Sequence, residues 1–359
     1  MLKFLRISSL YPDILEEIEK KIDKIKNENY EELQNKIFKE MYSVSNNISK
    51  SLKKNGFQCF EIIENAKFTQ NKWIEEFGDK SSKETIIMQQ IKFYQPDILF
   101  IGNSSLLSKD FFEKIKELKF IKLILSFHCA PFNNKININL KLVDGVVTCT
   151  EGYKRYIHSN INSNVLLMKH AFPKNTNIDL DQKRNIDITF VGSIFINEAL
   201  HNKRVNLIYQ IMKNFKNNYI EINFSKKFIL QYFYYFIISV FNFKIFKNYS
   251  FFYKIIYIFA FSKKPVYGKD MLRVLSKSKI LINTHIDDTE YAGNMRIFEG
   301  TGCGCLLISD VKKGIEDLFK IDHEILLFNN VHDLITKCNF MLGNQKKIEQ
   351  MASLGKQRT

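Results

Sequence analysis

Apolar runs of strand length alternate with amphipathic stretches through the first half of the chain. After the run at residues 2–7, Leu15, Ile18, Ile22 and Ile25 recur at three- and four-residue steps, the spacing that buries one face of a helix. Further runs cover residues 57–63, 97–101, 121–127, 145–149 and 164–169, and a helix-period stretch covers 110–118. Strands that alternate with helices predict a parallel sheet covered on both faces.

The second half of the chain repeats this pattern. Apolar runs at 186–191, 280–283, 305–309 and 324–328 predict strands, and residues 198–215 predict a helix. The polar stretch after His170 is the best linker, so we predict two Rossmann-like, doubly wound α/β domains at about 1–175 and 185–359. Ligands of such sheets bind beyond the carboxyl ends of the strands, and we expect the two domains to face each other across a cleft.

Composition and charge narrow the classes of partner. The 359 residues are enough for two buried cores, and the formal net charge is +15. Only seven of the 53 basic residues are Arg, whereas nucleic-acid readers rely on the planar guanidinium fork. We therefore predict no nucleic-acid partner.

The six cysteines contain no CxxC pair, and the Cys303–Cys305 spacing lacks the partners of a zinc site. We expect them to be buried thiols in a reducing compartment. The first twenty residues turn acidic and amphipathic and lack the apolar core of a signal peptide, which favours a cytoplasmic location.

One stretch breaks the alternation. Residues 222–269 contain eight Lys, no Asp or Glu, and a concentration of Phe and Tyr around an uncharged core of 16 residues at 228–243. That core is shorter than the ~20 residues that span a bilayer as a helix. Two interpretations stay open for an insertion at about 224–267: a buried helical hairpin, or a segment that contacts the inner face of the membrane, because Lys attracts anionic headgroups and aromatic rings partition at their boundary.

The segment from Gly293 to Gly304 carries the most chemistry. Gly293 and Asn294 suit a helix start, where unpaired N–H groups can bind a diphosphate. Arg296 and Glu299 are three residues apart and so share a helix face. A carboxylate one turn into a phosphate-binding helix can accept both ribose hydroxyls, and we expect Arg296 to contact the donor phosphates. An ordinary helix with a solvated Glu299 is the alternative.

These residues also carry a resemblance to a known family. The strings GNMRIFEGTGCGCLLISD, KPVYGKDMLRVLSKSKILINTH and DITFVGSIF resemble the C-terminal domain of group-1 glycosyltransferases with the two-domain GT-B architecture, closest to the spore-coat and surface-polysaccharide branch. The resemblance implies that Glu299 binds the donor ribose, and that Gly192, Ser193 and Arg204 lie near the donor diphosphate. It departs from the superfamily at Tyr291, which replaces the first Glu of a paired motif. The first half matches only loosely.

Candidate residues for the acceptor side follow predicted strands of the first domain. His128 comes directly after an apolar run, and its ordinary pKa of about 6.5 suits a base for an acceptor hydroxyl. His170, at the linker, is a second and comparable candidate. The polar residues expected to line an acceptor site after other strands are Ser8, Ser9, Asn103 and Ser104.

We therefore predict a glycosyltransferase that moves a sugar from a nucleotide-diphosphate donor, held by the second domain, to a lipid-linked or glycan acceptor held by the first. We expect no cofactor and no metal, because helix N-termini and basic side chains can stabilise a leaving diphosphate. Two alternatives stay open: a sugar-nucleotide epimerase of the same fold, and a non-enzymatic protein that binds the membrane surface.

Overall fold

The chain folds into two compact units, Met1–Lys169 and His170–Thr359. The structure, a computed structural model, describes residues 1–20, 28–40, 45–174, 176, 178–194, 202–224, 228–242, 245–285 and 290–359. Parts of three predicted segments, at 21–25, 198–201 and within the insertion, lie outside the described residues.

The first unit is built on a six-stranded parallel sheet with the order β2-β1-β3-β4-β5-β6. Its strands are β1 (Lys3–Ser8), β2 (Gln58–Ile63), β3 (Ile98–Ile101), β4 (Leu123–Phe127), β5 (Gly145–Thr148) and β6 (Val165–Leu167). Their side chains are mostly buried, and Leu5, Leu99 and Ile101 are fully so. Burial on both faces of the sheet explains why these strands are continuous apolar runs.

Eight described helices cover this sheet. They are α1 (Pro12–Glu19), α2 (Tyr30–Lys39), α3 (Asn47–Lys54), α4 (Lys67–Phe77), α5 (Lys83–Tyr94), α6 (Lys109–Lys116), α7 (Asn134–Lys141) and α8 (Glu151–Asn160). Local chemistry sets several helix starts: Asn29 and Glu32 form a capping box on α2, and Ser108 caps α6. Trp73, the only tryptophan, is buried on α4 with its ring edge-on to Phe93.

The second unit contains a five-stranded parallel sheet with the order β11-β10-β9-β7-β8. Its strands are β7 (Ile186–Ile194), β8 (Asn218–Phe224), β9 (Ser278–Asn283), β10 (Leu306–Asp310) and β11 (Ile325–Phe328). Its described helices are α9 (Asn202–Asn214), α10 (Phe228–Phe241), α11 (Ile245–Phe261), α12 (Gly268–Ser276), α13 (Met295–Gly302), α14 (Val331–Leu342) and α15 (Gln345–Arg358).

The predicted fold class, two doubly wound α/β domains, is confirmed. All ten predicted apolar runs overlap strands, with ends that differ by at most three residues. β8 was not predicted, because its sequence NYIEINF mixes polar and apolar residues and includes a carboxylate. The hairpin α10–α11 follows β8 directly, and no described helix is long and apolar enough to cross a membrane.

Two glycines let α13 approach its neighbours closely. A Cβ at Gly300 would lie 2.0 Å from Cδ2 of Leu281 on β9, and a Cβ at Gly302 would lie 2.2 Å from Cγ of Phe172. Side chains at either position would push the helix away, because such separations are far below van der Waals contact. Gly300 therefore lets α13 sit close to β9, and Gly302 lets it sit close to the segment that holds Phe172.

The expectation that all six cysteines are free thiols is wrong for one pair. Cys129 and Cys149 form a disulfide, with Cα atoms 5.8 Å apart. Cys129 lies two residues after β4 and Cys149 lies one residue after β5, so the parallel register of these strands brings together residues 20 positions apart in the chain. Cys59, Cys303, Cys305 and Cys338 are buried and free, as expected.

Candidate active site

The carboxyl ends of β7 and β9 form the point where the chain changes direction in the second sheet. β7 pairs with β8 on one side and with β9 on the other, so the connections from β7 and β9 leave toward opposite faces of the sheet. Such a switch point opens a crevice beyond the strand ends. Gly192 and Ser193 lie in the last three residues of β7, at this end of the sheet.

Arg204 on α9 ties these two strand ends together. Its side chain donates hydrogen bonds to the Ser193 carbonyl (2.8 Å), to Thr284 Oγ1 (2.8 Å) and to the Thr284 carbonyl (2.9 Å). The residue is only 7% exposed. The structure therefore gives Arg204 a positioning role, and its predicted contact with the donor diphosphate stays a prediction.

Gly192 leaves space beside the Arg204 side chain. A Cβ at Gly192 would lie 3.0 Å from the Phe190 ring and 3.9 Å from Nη1 of Arg204. A side chain at this position would press on the residues that hold the strand ends. The glycine is needed here for close approach rather than for an unusual backbone conformation.

The first turn of α13 begins at the same edge of the sheet. Gly293 has φ 142°, a conformation that only glycine adopts without strain, and Asn294 follows as the N-cap residue. The Asn294 side chain does not cap the helix. Its Nδ2 instead donates to Asn283 Oδ1 (2.9 Å), and Asn283 Nδ2 donates to Ser309 Oγ (3.0 Å). This chain of amides fixes the helix start to β9 and β10.

Arg296 and Glu299 lie on one face of α13 and form an ion pair. Arg296 Nη1 lies 2.7 Å from Glu299 Oε2, and the two side chains are 22% and 19% exposed. The prediction that they share a helix face is confirmed. A carboxylate accepts up to about four hydrogen bonds, so Glu299 keeps acceptor capacity for a ligand.

His285 and Asp310 form a buried pair at the same strand ends. His285 Nδ1 lies 2.7 Å from Asp310 Oδ1, and the His285 amide donates to both carboxylate oxygens at 3.2 and 3.1 Å. His285 is 4% exposed, and its Nε2 has no partner among the described residues. A proton on Nδ1 leaves Nε2 as an acceptor. Sequence reasoning missed this pair, although both residues follow predicted strands.

Glu221 is a second group that sequence reasoning missed. It lies on β8, 3% exposed, and its Oε2 has no partner among the described residues. Burial raises the pKa of Glu221 to about 7, opposed by a hydrogen bond from the Val266 amide and by the charge of Arg296. The second unit thus holds a carboxyl group that titrates near neutrality within electrostatic reach of Arg296.

In the first unit, His128 is buried at the end of β4. Its Nε2 donates to the Ala130 carbonyl (2.7 Å), and its ring packs against Phe132 with centroids 4.6 Å apart. Burial lowers the pKa of His128, opposed by the bond to Ala130. The neutral ring therefore presents Nδ1 as an acceptor. Burial also lowers the pKa of His170, which opens the second unit.

Of the four polar candidates of the first unit, Ser8 is the last residue of β1, and the other three follow β1 or β3, which are neighbours in the sheet. Ser8 Oγ donates to the Ile62 carbonyl, Ser9 Oγ donates to Glu64, and Asn103 accepts from the Ser105 amide. Ser104 is 1% exposed, and its Oγ has no partner among the described residues. The structure places these residues at one edge of the sheet, and their role in acceptor binding stays a prediction.

A comparison with models of protein families gives a match for the part of the chain that contains α13. Residues 246–359 match the family model described as glycosyl transferase-like. The matched stretch is similar to that family. It includes Arg296, Glu299 and the His285–Asp310 pair, and it leaves out β7, β8 and Arg204. Tyr291, which replaces the superfamily's first Glu, forms an isolated bridge with Lys313 just before α13.

Solved structures extend the likeness to the whole fold. HepE from Anabaena in complex with UDP-glucose has a TM-score of 0.55 at 9% identity, and the match covers 99% of this chain and 94% of the HepE chain. Sucrose-phosphate synthase from Thermosynechococcus elongatus has a TM-score of 0.53 at 8% identity and covers 100% and 94%. A Listeria monocytogenes protein described as a UDP-N-acetylglucosamine 2-epimerase has a TM-score of 0.50 at 11% identity and covers 98% and 91%.

These comparisons confirm the resemblance to glycosyltransferases of the GT-B fold. They do not distinguish the spore-coat and surface-polysaccharide branch from others, so that assignment stays a prediction. No curated protein sequence matches the chain.

Proposed function

We propose that the chain is a glycosyltransferase that moves a sugar from a nucleoside-diphosphate donor to an acceptor hydroxyl. One observation carries the proposal: Glu299 lies one turn into α13, held by Arg296 at 2.7 Å, in a helix whose N-terminus lies at the sheet's switch point without a side-chain cap. A family model of glycosyl transferase-like proteins covers this helix. The same geometry supplies groups for a diphosphate and for a ribose.

The donor diphosphate would bind at the start of α13. Amide N–H groups there point out of the helix, and the helix dipole adds roughly half a positive charge. Gly293 carries no side chain that would block the approach. One turn further, Glu299 would accept hydrogen bonds from the two ribose hydroxyls. Arg296 holds that carboxylate in position and contributes positive charge beside the leaving diphosphate.

Transfer forms a bond between the acceptor oxygen and the anomeric carbon and breaks the bond to the diphosphate. The acceptor hydroxyl loses a proton, and the leaving diphosphate gains negative charge. Positive charge from the helix dipole and from Arg296 can stabilise this group without a metal ion. We assign the proton to Nδ1 of His128, because burial keeps that ring neutral at pH 7.

UDP-sugars are the first donors to test, because HepE, with the same fold, is described in complexes with UDP and UDP-glucose. A glycan or lipid-linked saccharide is the proposed acceptor, and we infer a cytoplasmic location, where nucleotide sugars are made.

Calorimetric titration of the full chain with UDP and UDP-glucose tests the donor site. Glu299→Ala should raise the Kd roughly 10- to 100-fold, because hydrogen bonds to a charged group contribute about 1.5–3 kcal/mol. The matched control is Glu349→Ala on α15, whose exposed side chain bonds only Gln345 among the described contacts. Equal affinities for wild type, Glu299→Ala and control would refute the assignment of Glu299.

An epimerase of the same fold is the second candidate, supported by the likeness to the Listeria protein. The two activities differ in what happens without an acceptor. Incubation with UDP-N-acetylglucosamine alone would yield an epimerised sugar from an epimerase, whereas a transferase needs an acceptor hydroxyl for turnover. Mass spectrometry and sugar chromatography of the products distinguish the two.

A further inference from the structure

Helix α10 exposes a continuous apolar face to solvent. Six exposed side chains at helical spacing define this face: Leu230, Phe233, Tyr234, Ile237, Val240 and Phe241, which are 45–78% exposed. No residue of α10 is charged. An exposed stripe of this composition along a whole helix is unusual for the surface of a soluble protein, where large apolar patches mark interaction sites.

The opposite side of α10 packs onto the second unit. Phe228 is buried against Phe224 and Phe259, and the Tyr232 ring meets Phe252 edge-on at 5.5 Å. The hairpin is therefore anchored by one side and exposed on the other. The interpretation as a buried helical hairpin describes the packed side, and membrane contact by the exposed side stays a prediction.

Helix α11 continues the exposed surface beside α10. Tyr253, Ile256, Phe259 and Phe261 are 47–64% exposed, while Ile255 and Ile258 on its other side are fully buried. Exposed Lys263 and Lys264 follow the end of α11. Residues 222–269 hold eight Lys and no carboxylate, so the apolar face lies within a purely cationic stretch.

We propose that the apolar face of α10, flanked by α11, docks the protein on an anionic lipid surface. Aromatic rings with polar tips partition at the headgroup boundary, and each Lys near such a surface contributes about 1 kcal/mol. The 14 residues of α10 extend only about 21 Å. Since no described helix can cross a bilayer, the helix lies in the plane of the interface. The proposal does not depend on the transferase activity.

A second copy of the chain fits this face less well. In a symmetric dimer the same patch meets itself. Two copies of residues 222–269 would bring together stretches that each hold eight Lys and no carboxylate, and like charges disfavour such a contact. A lipid headgroup layer supplies the opposite charge that the stretch lacks.

Liposome flotation of the full chain tests the proposal. Vesicles of phosphatidylcholine alone are compared with vesicles that contain about 30% phosphatidylserine, in about 50 mM and about 500 mM NaCl. We expect binding to the anionic vesicles that weakens but persists at high salt, because insertion of apolar side chains is not screened by ions.

The variant Leu230→Ser/Phe233→Ser removes two apolar side chains that are 71% and 56% exposed. Its matched control is Leu166→Ser/Phe340→Ser, at positions 62% and 56% exposed elsewhere on the surface. We expect the vesicle partition coefficient to fall at least tenfold in the first variant and to stay within twofold in the control. UDP affinity should be unchanged in both, which separates this proposal from the donor-site assignment.

Three outcomes would overturn the proposal. The first is vesicle binding that disappears at high salt and is equal in both variants, since Lys alone would then account for it. The second is a concentration-dependent dimer, abolished by Leu230→Ser/Phe233→Ser, with no vesicle binding. The third is capture of an acidic protein through this face, again with no vesicle binding.

Discussion

Replacement of Glu221 by Gln should change how stability depends on pH. Glu221 is 3% exposed on β8, and burial raises its pKa from 4.5 to about 7. Gln has nearly the same shape but does not ionise. The variant therefore removes a single titration from the interior of the second unit.

The size of the effect follows from the pKa. Each pKa unit corresponds to 1.36 kcal/mol, so ionising Glu221 in the folded state costs about 3 kcal/mol more than in the unfolded chain. Because the folded pKa is raised, wild-type stability from this group is fully present below pH 4.5 and is lost as pH rises through 7. The free energy of unfolding of Glu221→Gln, relative to wild type, should rise by about 2–3 kcal/mol between pH 5 and pH 8.

Urea denaturation followed by far-UV circular dichroism at pH 5, 6.5 and 8 measures this difference. Placing an amide in the site has a free-energy cost that does not depend on pH. It therefore does not affect the result, because only the change of the stability difference with pH is compared. Glu349→Gln, on the exposed surface of α15, is the control. A wild-type-minus-variant difference that stays flat from pH 5 to pH 8 would show that Glu221 ionises in the folded protein as easily as in water.

Three further predictions concern the site. His128→Gln should lower the transfer rate by about 10²–10⁴-fold. Wild-type activity should decline below pH 6.5, because burial lowers the pKa of His128, and the variant should lack this decline. An unchanged pH profile would show that His128 is not the base. Arg204→Lys should reduce the free energy of unfolding by about 2–3 kcal/mol and should also reduce turnover. The reason is that an ammonium group cannot reproduce the guanidinium hydrogen bonds to Ser193 and Thr284. Wild-type stability and turnover in the variant would contradict this role of Arg204. Chelation with about 5 mM EDTA should leave turnover within about twofold, because helix and guanidinium charge can stabilise the leaving group, and loss of activity that Mg²⁺ restores would count against this.

Much of the fold could be predicted because strands that are buried on both faces of a parallel sheet leave a recognisable pattern in the sequence. Runs such as ILFI in β3 and LLISD in β10 are nearly continuous apolar segments, so they are visible without knowledge of their neighbours. β8 could not be predicted in the same way. Its Glu221 contradicts the apolar pattern, and only the surrounding packing shows that the carboxyl group is buried.

The contacts in the candidate site also differ in whether the sequence alone could predict them. Arg296 and Glu299 lie three residues apart, so helical periodicity alone brings them together. His285 and Asp310 are 25 residues apart and meet only through the register of β9 on β10. The Cys129–Cys149 pair likewise depends on the register of two strands. Contacts made across a sheet need its strand order, which spacing along the chain does not supply.

The position of the α10–α11 hairpin has an evolutionary consequence. The hairpin leaves the edge strand β8 at Phe224, and the chain returns beside the same strand, where the Lys263 amide donates to the Ile220 carbonyl (2.7 Å). A connection that starts and ends beside one edge strand can change length without altering the register of the sheet, and each doubling of a flexible loop costs only about 0.6 kcal/mol. Both helices contribute to the core, Phe228 from α10 and Ile255 and Ile258 from α11, so the exposed face of α10 is the part that a lineage can change without altering the core. If the exposed face of α10 docks on lipid as proposed, the location of such a protein can evolve separately from its donor site on α13.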